Sequence, residues 1–329
     1  MAGKPKIFVT RSIPGKAIEE LKRNFEVEVR TQESVIEKDE LSRRVKGADA
    51  LLCILTDPVD AGVMDAAGRQ LKIISNYGAG YDKIDVNAAS ERGILVTNTP
   101  GALTDTTADL TCGLLIAAAR RIVEGDKYMR ECRYEGWGPS FFLGQEVFGK
   151  TLGIVGMGRI GKAVAKRMHN GFGMKIIYND KLGPDADADA EFAAVHVQME
   201  RLLRESDFIS IHTPLNDETS RMVGDKEFAL MKPTAVLVNT SRGNVIDQAA
   251  LARALREKRI WAAALDVYED EPRCPVELIP LANAIVIPHI GSASEETRAK
   301  MSQMAVDALV DFFGGRVPKN SVNAAALKK

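Results

Sequence analysis

Four histidines occur in the chain, His169, His196, His212 and His289, and one of them sits where a proton donor would. His289 follows an apolar run and Pro288, and opens the turn Pro288-His-Ile-Gly-Ser292. An imidazole there can exchange a proton near neutral pH. His169 and His196 read as structural residues, while His212 ends an apolar run before Pro214, where it would line a ligand cleft. Two further segments carry polar groups at the ends of apolar runs. Asn239-Thr-Ser-Arg-Gly243 places Arg242 directly after a buried-type run, and a guanidinium grips a carboxylate in a fork. The segment 264–272, ALDVYEDEP, carries Asp266 and Glu271; Glu271 can accept a hydrogen bond from the His289 ring and fix its tautomer.

A glycine loop supplies the second kind of chemistry. Thr151-Leu-Gly-Ile-Val-Gly-Met-Gly-Arg-Ile-Gly161 reads as strand, turn and helix start. Gly156 allows the tight turn, Gly158 lets a pyrophosphate approach the backbone, and Gly161 lets helix and strand pack closely. The helix start offers free N–H groups to phosphates. The next strand, 174–178, leads to Asp180, where an acid would bond the ribose hydroxyls of a dinucleotide. A 2′-phosphate would meet like charge there, so NAD(H) is favoured over NADP(H), with Arg159 and Lys181 softening the preference. A methyltransferase also presents a glycine loop followed by an acid, but the downstream Arg, Glu and His segments argue against that reading.

These residues need elements to hold them. β-Branched runs at 7–10, 27–29, 50–55, 73–75 and 94–97 alternate with helix-like stretches such as 15–24 and 39–45. A second alternating series has strands at 152–155, 175–178, 208–212, 235–239, 262–265 and 285–287. Strand, helix, strand at this spacing means βαβ units and two parallel sheets. Between the series, Thr104 caps a long apolar helix, followed by an aromatic loop over 134–149. Asp185, Asp187 and Asp189 read as a solvated acidic loop. A final helix starts from a capping box, Ser292-Ala-Ser-Glu295, and ends at Gly314 and Gly315.

Composition removes other classes. With 44 Lys plus Arg against 45 Asp plus Glu in 329 residues, no excess of positive charge points to nucleic acid or an anionic membrane. The four cysteines form no CxxC pair, so neither a zinc site nor a disulfide framework is expected, and no metal is called for. The first ten residues, MAGKPKIFVT, lack the apolar core of a signal peptide, and no run is long enough to span a membrane. The expectation is a soluble cytoplasmic protein of two domains.

The glycine loop, NTSRG, ALDVYEDEP and PHIGSAS, together with NYGAGYDKIDV at 76–86 and VTNTPGALTDTTADLT at 96–111, occur in the order of one family. The chain resembles the D-isomer-specific 2-hydroxyacid dehydrogenases over nearly its whole length, and within them the glyoxylate and hydroxypyruvate reductases. The resemblance implies an α/β fold of two Rossmann- or flavodoxin-like domains. A discontinuous substrate-binding domain would cover 1–101 and 290–329, and a dinucleotide-binding domain 102–289. It implies Arg242, Glu271 and His289 as catalytic residues. It implies Leu55, Arg242, His289 and the Ala79 and Gly80 amides of the loop 76–80 around the substrate. Thr107, Asp180, Pro214, Thr240 and Asp266 match cofactor-contacting positions. The cofactor set also takes in Gly156, Gly158, Arg159, Ile160, Gly161, Thr219, Ser241, Arg242, His289, Gly291 and Ser292. Members of the family are usually dimers, and Trp137 resembles a tryptophan that reaches a partner's active site.

The expected activity is NADH-dependent reduction of a small 2-oxo acid, glyoxylate or hydroxypyruvate, in a homodimer. Alternatives are 2-ketogluconate, D-lactate or D-glycerate-type dehydrogenases. A non-enzymatic alternative is an NAD-sensing scaffold like the transcriptional corepressors of this fold, which would bind NADH and turn over nothing.

Overall fold

Nearly every β-branched run becomes a strand with all of its neighbours parallel. The computed structural model describes residues 3–325. In chain order its elements are β1 (Lys6–Val9), α1 (Ala17–Asn24), β2 (Glu26–Val29), α2 (Lys38–Arg44), β3 (Ala50–Ile54), α3 (Ala61–Ala67), β4 (Ile73–Tyr77), α4 (Val86–Glu91), β5 (Leu95–Thr97), α5 (Thr104–Ala119) and α6 (Ile122–Arg130). They continue with β6 (Thr151–Val155), α7 (Arg159–Phe172), β7 (Lys175–Asn179), α8 (Ala186–Phe192), β8 (Val195–His196), α9 (Met199–Glu205), β9 (Phe208–Ile211), α10 (Asp225–Leu230), β10 (Val236–Asn239), α11 (Gln248–Arg256), β11 (Ala262–Leu265), β12 (Ala284–Val286) and α12 (Glu295–Phe313). The chain divides into two units, one running to Leu103 and resuming at Ser292, the other Thr104–Gly291.

The first unit holds a five-stranded sheet in the order β2-β1-β3-β4-β5. β3 is buried along almost its whole length, which is why it reads as a continuous apolar run, and β4 is buried throughout although it carries Ser75 and Asn76. Helix α12 returns to this sheet: the Ser75 hydroxyl donates to the Ala305 carbonyl at 2.8 Å, and Met301, Ala305 and Leu309 join the core with Ile7, Leu52 and Ile73. The tail then crosses β5, where Val322 N–H donates to the Val96 carbonyl at 2.7 Å.

The second unit holds seven strands in the order β12-β11-β10-β9-β6-β7-β8. The chain order reverses beside β6, and in such sheets ligands bind beyond the carboxyl ends of the strands at that point. Helix α5 buries Ala108, Leu115 and Ala119 in this unit's core, with Ile154, Val164 and Val238.

Three local expectations need correcting. The acidic stretch is not a loop: Asp185 caps α8, accepting from Ala188 N–H at 3.0 Å, and pairs with Lys162 at 2.6 Å. Asp189 accepts from the Tyr178 hydroxyl at 2.9 Å. Alternating alanines are strong helix formers, and acids at a helix start favour the dipole. The cap of α12 is Ser294, not Ser292; its hydroxyl accepts from Thr297 N–H at 3.2 Å, while the Ser292 carbonyl closes the preceding turn. Helix α5 begins at Thr104 itself. Helix α6 and the two-residue β8 have no counterpart in the sequence reading, the first because its apolar positions face outward.

Candidate active site

β10, β11 and β12 are adjacent and parallel, so the residues that follow them emerge at one edge. Those residues are Arg242, then Asp266 to Glu271, then His289. His289 Nδ1 donates to Glu271 Oε2 at 2.7 Å, and Glu271 Oε1 accepts from Tyr268 N–H at 3.0 Å. With Nδ1 committed to the carboxylate, Nε2 is the nitrogen left to carry a reacting proton. Burial pulls the Glu271 pKa upward. The His289 hydrogen bond and charge, the Tyr268 amide and the Arg242 charge outweigh it and hold the carboxyl below the usual range. Glu271 is therefore ionised at neutral pH.

His289 adopts a left-handed backbone, φ +50°. A non-glycine residue there costs on the order of 1 kcal/mol or more. Asp266 holds the strained turn: its two carboxylate oxygens accept from Ile290 N–H at 2.6 Å and Gly291 N–H at 2.7 Å. Burial, aided by the nearby Glu271 charge, raises the Asp266 pKa; the two amides and His289 pull the other way without cancelling it. Gly243 allows the Arg242 segment to lie against the Glu271 segment, since a Cβ there would sit 1.9 Å from the Tyr268 carbonyl carbon. The Tyr268 hydroxyl lies 3.0 Å from the Leu265 carbonyl and 2.8 Å from that of Ile287, tying the ends of β11 and β12.

Arg242 stands in a turn organised by Asn239. The Asn239 Oδ1 accepts from Ser241 N–H and hydroxyl, and its Nδ2 donates to the Arg242 carbonyl at 2.9 Å. A chain of hydroxyls joins this turn to α5: Thr240 lies 2.9 Å from Thr111, Thr111 donates to the Thr107 carbonyl, and Thr107 donates to the Gly291 carbonyl at 3.0 Å. Asn239, Thr111 and Tyr268 escaped the sequence reading because their partners are backbone atoms and small hydroxyls. No residue type signals that.

The three loop glycines differ in the space around them. At Gly156, φ +95°, a Cβ would stand 2.9 Å from the His212 carbonyl; at Gly161 it would stand 2.2 Å from the Gly156 carbonyl oxygen. At Gly158 nothing lies within 4 Å, so the helix start is open to an approaching pyrophosphate. Arg159 and Ile160 form the first turn of α7. Asp180 follows β7; Oδ2 accepts from Met157 N–H at 2.8 Å and Oδ1 from Leu182 N–H at 2.9 Å. Lys181 is ion-paired with Glu218. Burial lowers the His212 pKa to about 3, and its Nε2 lies 2.8 Å from the Ser210 hydroxyl, so this neutral ring supports the strand end. Thr219 donates to the Pro214 carbonyl at 2.6 Å, closing the loop after β9. These groups fit a dinucleotide.

In the first unit, Leu55 follows β3 and Ala79 and Gly80 follow β4, all half-buried. Ser292 begins this unit's second segment. Trp137 lies on the aromatic loop of the second unit and is 82% exposed, so its own chain does not cover it.

Glu271→Gln is expected to lower kcat/KM for reduction, because the carboxylate that fixes the His289 tautomer and stabilises the charged ring in the transition state is gone. It also removes a linkage term. A carboxyl lowered below its ordinary 4.5 contributes stability that is complete above that value and lost as pH falls through the folded value. Acid denaturation of the variant should lack that contribution. Equal kcat/KM and coincident acid-denaturation curves for wild type and variant would count against the pair.

Glycine loop, switch-point topology and an Arg–Glu–His edge define an NAD(P)-binding oxidoreductase of the α/β class. The model of the D-isomer specific 2-hydroxyacid dehydrogenase NAD binding domain matches residues 112–291, more than half of the chain. The chain is 49% identical over 327 residues to a glyoxylate reductase of Korarchaeum cryptofilum, covering 99% of this chain and 98% of that protein. A crystal structure of a Thermus thermophilus protein superposes with a TM-score of 0.90 at 45% identity, over 96% of this chain and 99% of that one. The NADPH-dependent glyoxylate/hydroxypyruvate reductase of Sinorhizobium meliloti, solved with NADP and malonate, gives 0.84 at 32%, over 97% of each chain. The chain belongs to the D-isomer-specific 2-hydroxyacid dehydrogenase family.

Proposed function

We propose that this protein reduces glyoxylate and hydroxypyruvate to their 2-hydroxy acids with NADH. The observation that carries the reading is the 2.7 Å pair of His289 and ionised Glu271 on strand ends adjacent to that of Arg242. The likeness to glyoxylate reductases over almost the full chain supports the substrate class.

When bound, the nicotinamide supplies the hydride. Arg242 takes the substrate carboxylate in its fork and polarises the carbonyl. His289 Nε2 delivers a proton to the carbonyl oxygen as negative charge develops there, and Glu271 stabilises the charged ring before transfer. The family resemblance implies the Ala79 and Gly80 amides as donors for the carboxylate. Asp180 favours NADH: two amides fix its carboxylate after β7, where a 2′-phosphate would meet like charge. Lys181, paired with Glu218, offers that phosphate little compensation.

The test is steady-state oxidation of NADH and NADPH against glyoxylate, hydroxypyruvate, pyruvate and 2-ketogluconate. Fast turnover of the first two with NADH is expected. Tight NADH binding without turnover of any of them would overturn the reading in favour of a sensor.

A second copy of the chain is the partner we infer. Trp137 and Phe148 on the aromatic loop and Ile122, Val123 and Met129 on α6 are exposed. Beside α6 lies a cavity of about 770 Å³ lined by Val123, Trp261, Ile279 and Leu281, at the amino ends of β11 and β12 and so opposite the catalytic edge. Large apolar side chains exposed together on one loop and one helix support an interface there. Light scattering should give twice the 35.8 kDa chain mass, and a monomer would count against it. Among the described residues no helix is long and apolar enough to cross a membrane. The four cysteines are free thiols, which fits a reducing cytoplasm.

A further inference from the structure

The loop after β4 has its carbonyl oxygens tied back one after another. Gly78 O accepts from Thr99 N–H at 2.9 Å and from Asn76 Nδ2 at 3.2 Å. Ala79 O accepts from Asn98 Nδ2 at 2.7 Å, and Gly80 O accepts from Asn76 Nδ2 at 2.7 Å. In a planar trans peptide the C=O of one residue and the N–H of the next point in opposite directions. Tying down Gly78 O therefore turns Ala79 N–H the other way, and tying down Ala79 O does the same for Gly80 N–H. The two amides are left pointing away from the asparagines as a pair.

Asn98 is itself held from behind. Its N–H donates to the Asn320 carbonyl at 3.3 Å, and its carbonyl accepts from Asn320 Nδ2 at 2.5 Å. Thr97 bridges Ser321, and Asn323 accepts from Val96 N–H at 2.8 Å and donates to the Ile94 carbonyl at 3.0 Å. Both contacts to Asn320 use the backbone of Asn98, so its side chain is free to serve the loop alone. Adjacent amides fixed in one direction make a concave donor pair that suits an anion such as a carboxylate.

We propose that Asn98, seated by Asn320 of the C-terminal tail, is a positioning residue that aims the Gly80 amide at the carboxylate of a 2-oxo acid. The proposal rests on the reading of the loop given under the proposed function. Asn98 touches no reacting atom. Its effect passes through the orientation of one peptide plane.

The test compares wild type with Asn98→Ala and Asn98→Asp. Each retains the backbone pairing to Asn320. The readouts are KM and kcat for glyoxylate, the NADH dissociation constant, and binding of oxamate, an unreactive 2-oxo acid mimic, to the NADH-loaded enzyme. For Asn98→Ala, KM and the oxamate dissociation constant should rise about tenfold, the scale of one hydrogen bond to a charged group, with kcat at saturation and NADH affinity nearly unchanged. Asn98→Asp should lose more, since its carboxylate faces the Ala79 carbonyl and repels it. Unchanged KM and oxamate affinity in an active Asn98→Ala enzyme would overturn the role of Asn98. So would parallel losses of kcat, NADH affinity and thermal midpoint, which a merely structural residue would produce. A wild-type enzyme that reduces no 2-oxo acid overturns the functional reading instead, so the two failures are told apart.

Discussion

His289→Ala is expected to lower kcat for glyoxylate reduction by about 10²–10⁴-fold while leaving NADH binding nearly intact. The size follows from what the ring does. Without a positioned donor, the oxygen that becomes an alkoxide must take its proton from water. His289→Asn restores neither the charge nor the Nε2 geometry and should rescue little. The loss should fall on kcat and kcat/KM together, because the proton is needed in the transition state more than in the ground state. The turn should survive, since Asp266 holds Ile290 and Gly291 through their backbone amides rather than through the imidazole. The truncation even admits alanine at a left-handed position at a cost near that of histidine. The check is a pre-steady-state burst with saturating NADH alongside a fluorescence titration of NADH. Turnover near the wild-type level would remove His289 from the mechanism.

What could be read before any coordinates was the chemistry and the sheets. His289 and Arg242 announce themselves because each is a polar residue just past an apolar run, where solubility does not require one, whereas Glu271 lies six residues beyond its run and is singled out from Glu269 and Asp270 by the family resemblance. Gly156 and Gly161 could be given separate reasons in advance, and the close carbonyls around both bear those reasons out. Less legible was anything that depends on how backbone atoms are satisfied. Asp266 matches a cofactor-contacting position of the family, but the structure also gives both its oxygens to the turn after His289. Asn76 and Asn98 carry no signal of their own in the sequence, and only the carbonyls they hold distinguish them. Asp185, Asp187 and Asp189 looked like a loop because acids alternate there; the cap at Asp185 and its Lys162 partner come from elements that sequence periodicity does not connect. Local pattern fixes which face a side chain takes, whereas hydrogen-bond partners far along the chain depend on the sheet order.

Arg242→Ala should cost about 10³-fold in kcat/KM for 2-oxo acids, the scale set by removing one preorganised donor from developing negative charge. Unlike the histidine variant, the loss should be shared between KM and kcat. The guanidinium grips the carboxylate in the ground state and polarises the carbonyl more strongly as the oxygen gains charge. Arg242→Lys keeps the charge but not the planar fork, so it should recover only a small part. The turn itself should persist, because Asn239 holds Arg242 by its carbonyl and Ser241 by its amide. A second consequence separates this residue from a simple binding group. The Arg242 charge is one of the influences holding the Glu271 carboxyl down against burial. Its removal should let that carboxyl titrate at higher pH, so the acid limb of kcat/KM moves upward in Arg242→Ala and less in Arg242→Lys. Glyoxylate kinetics across pH for the two variants measure both effects at once. An alanine variant with an unshifted acid limb would break the electrostatic link between Arg242 and Glu271, and one with unchanged KM would break the carboxylate clamp.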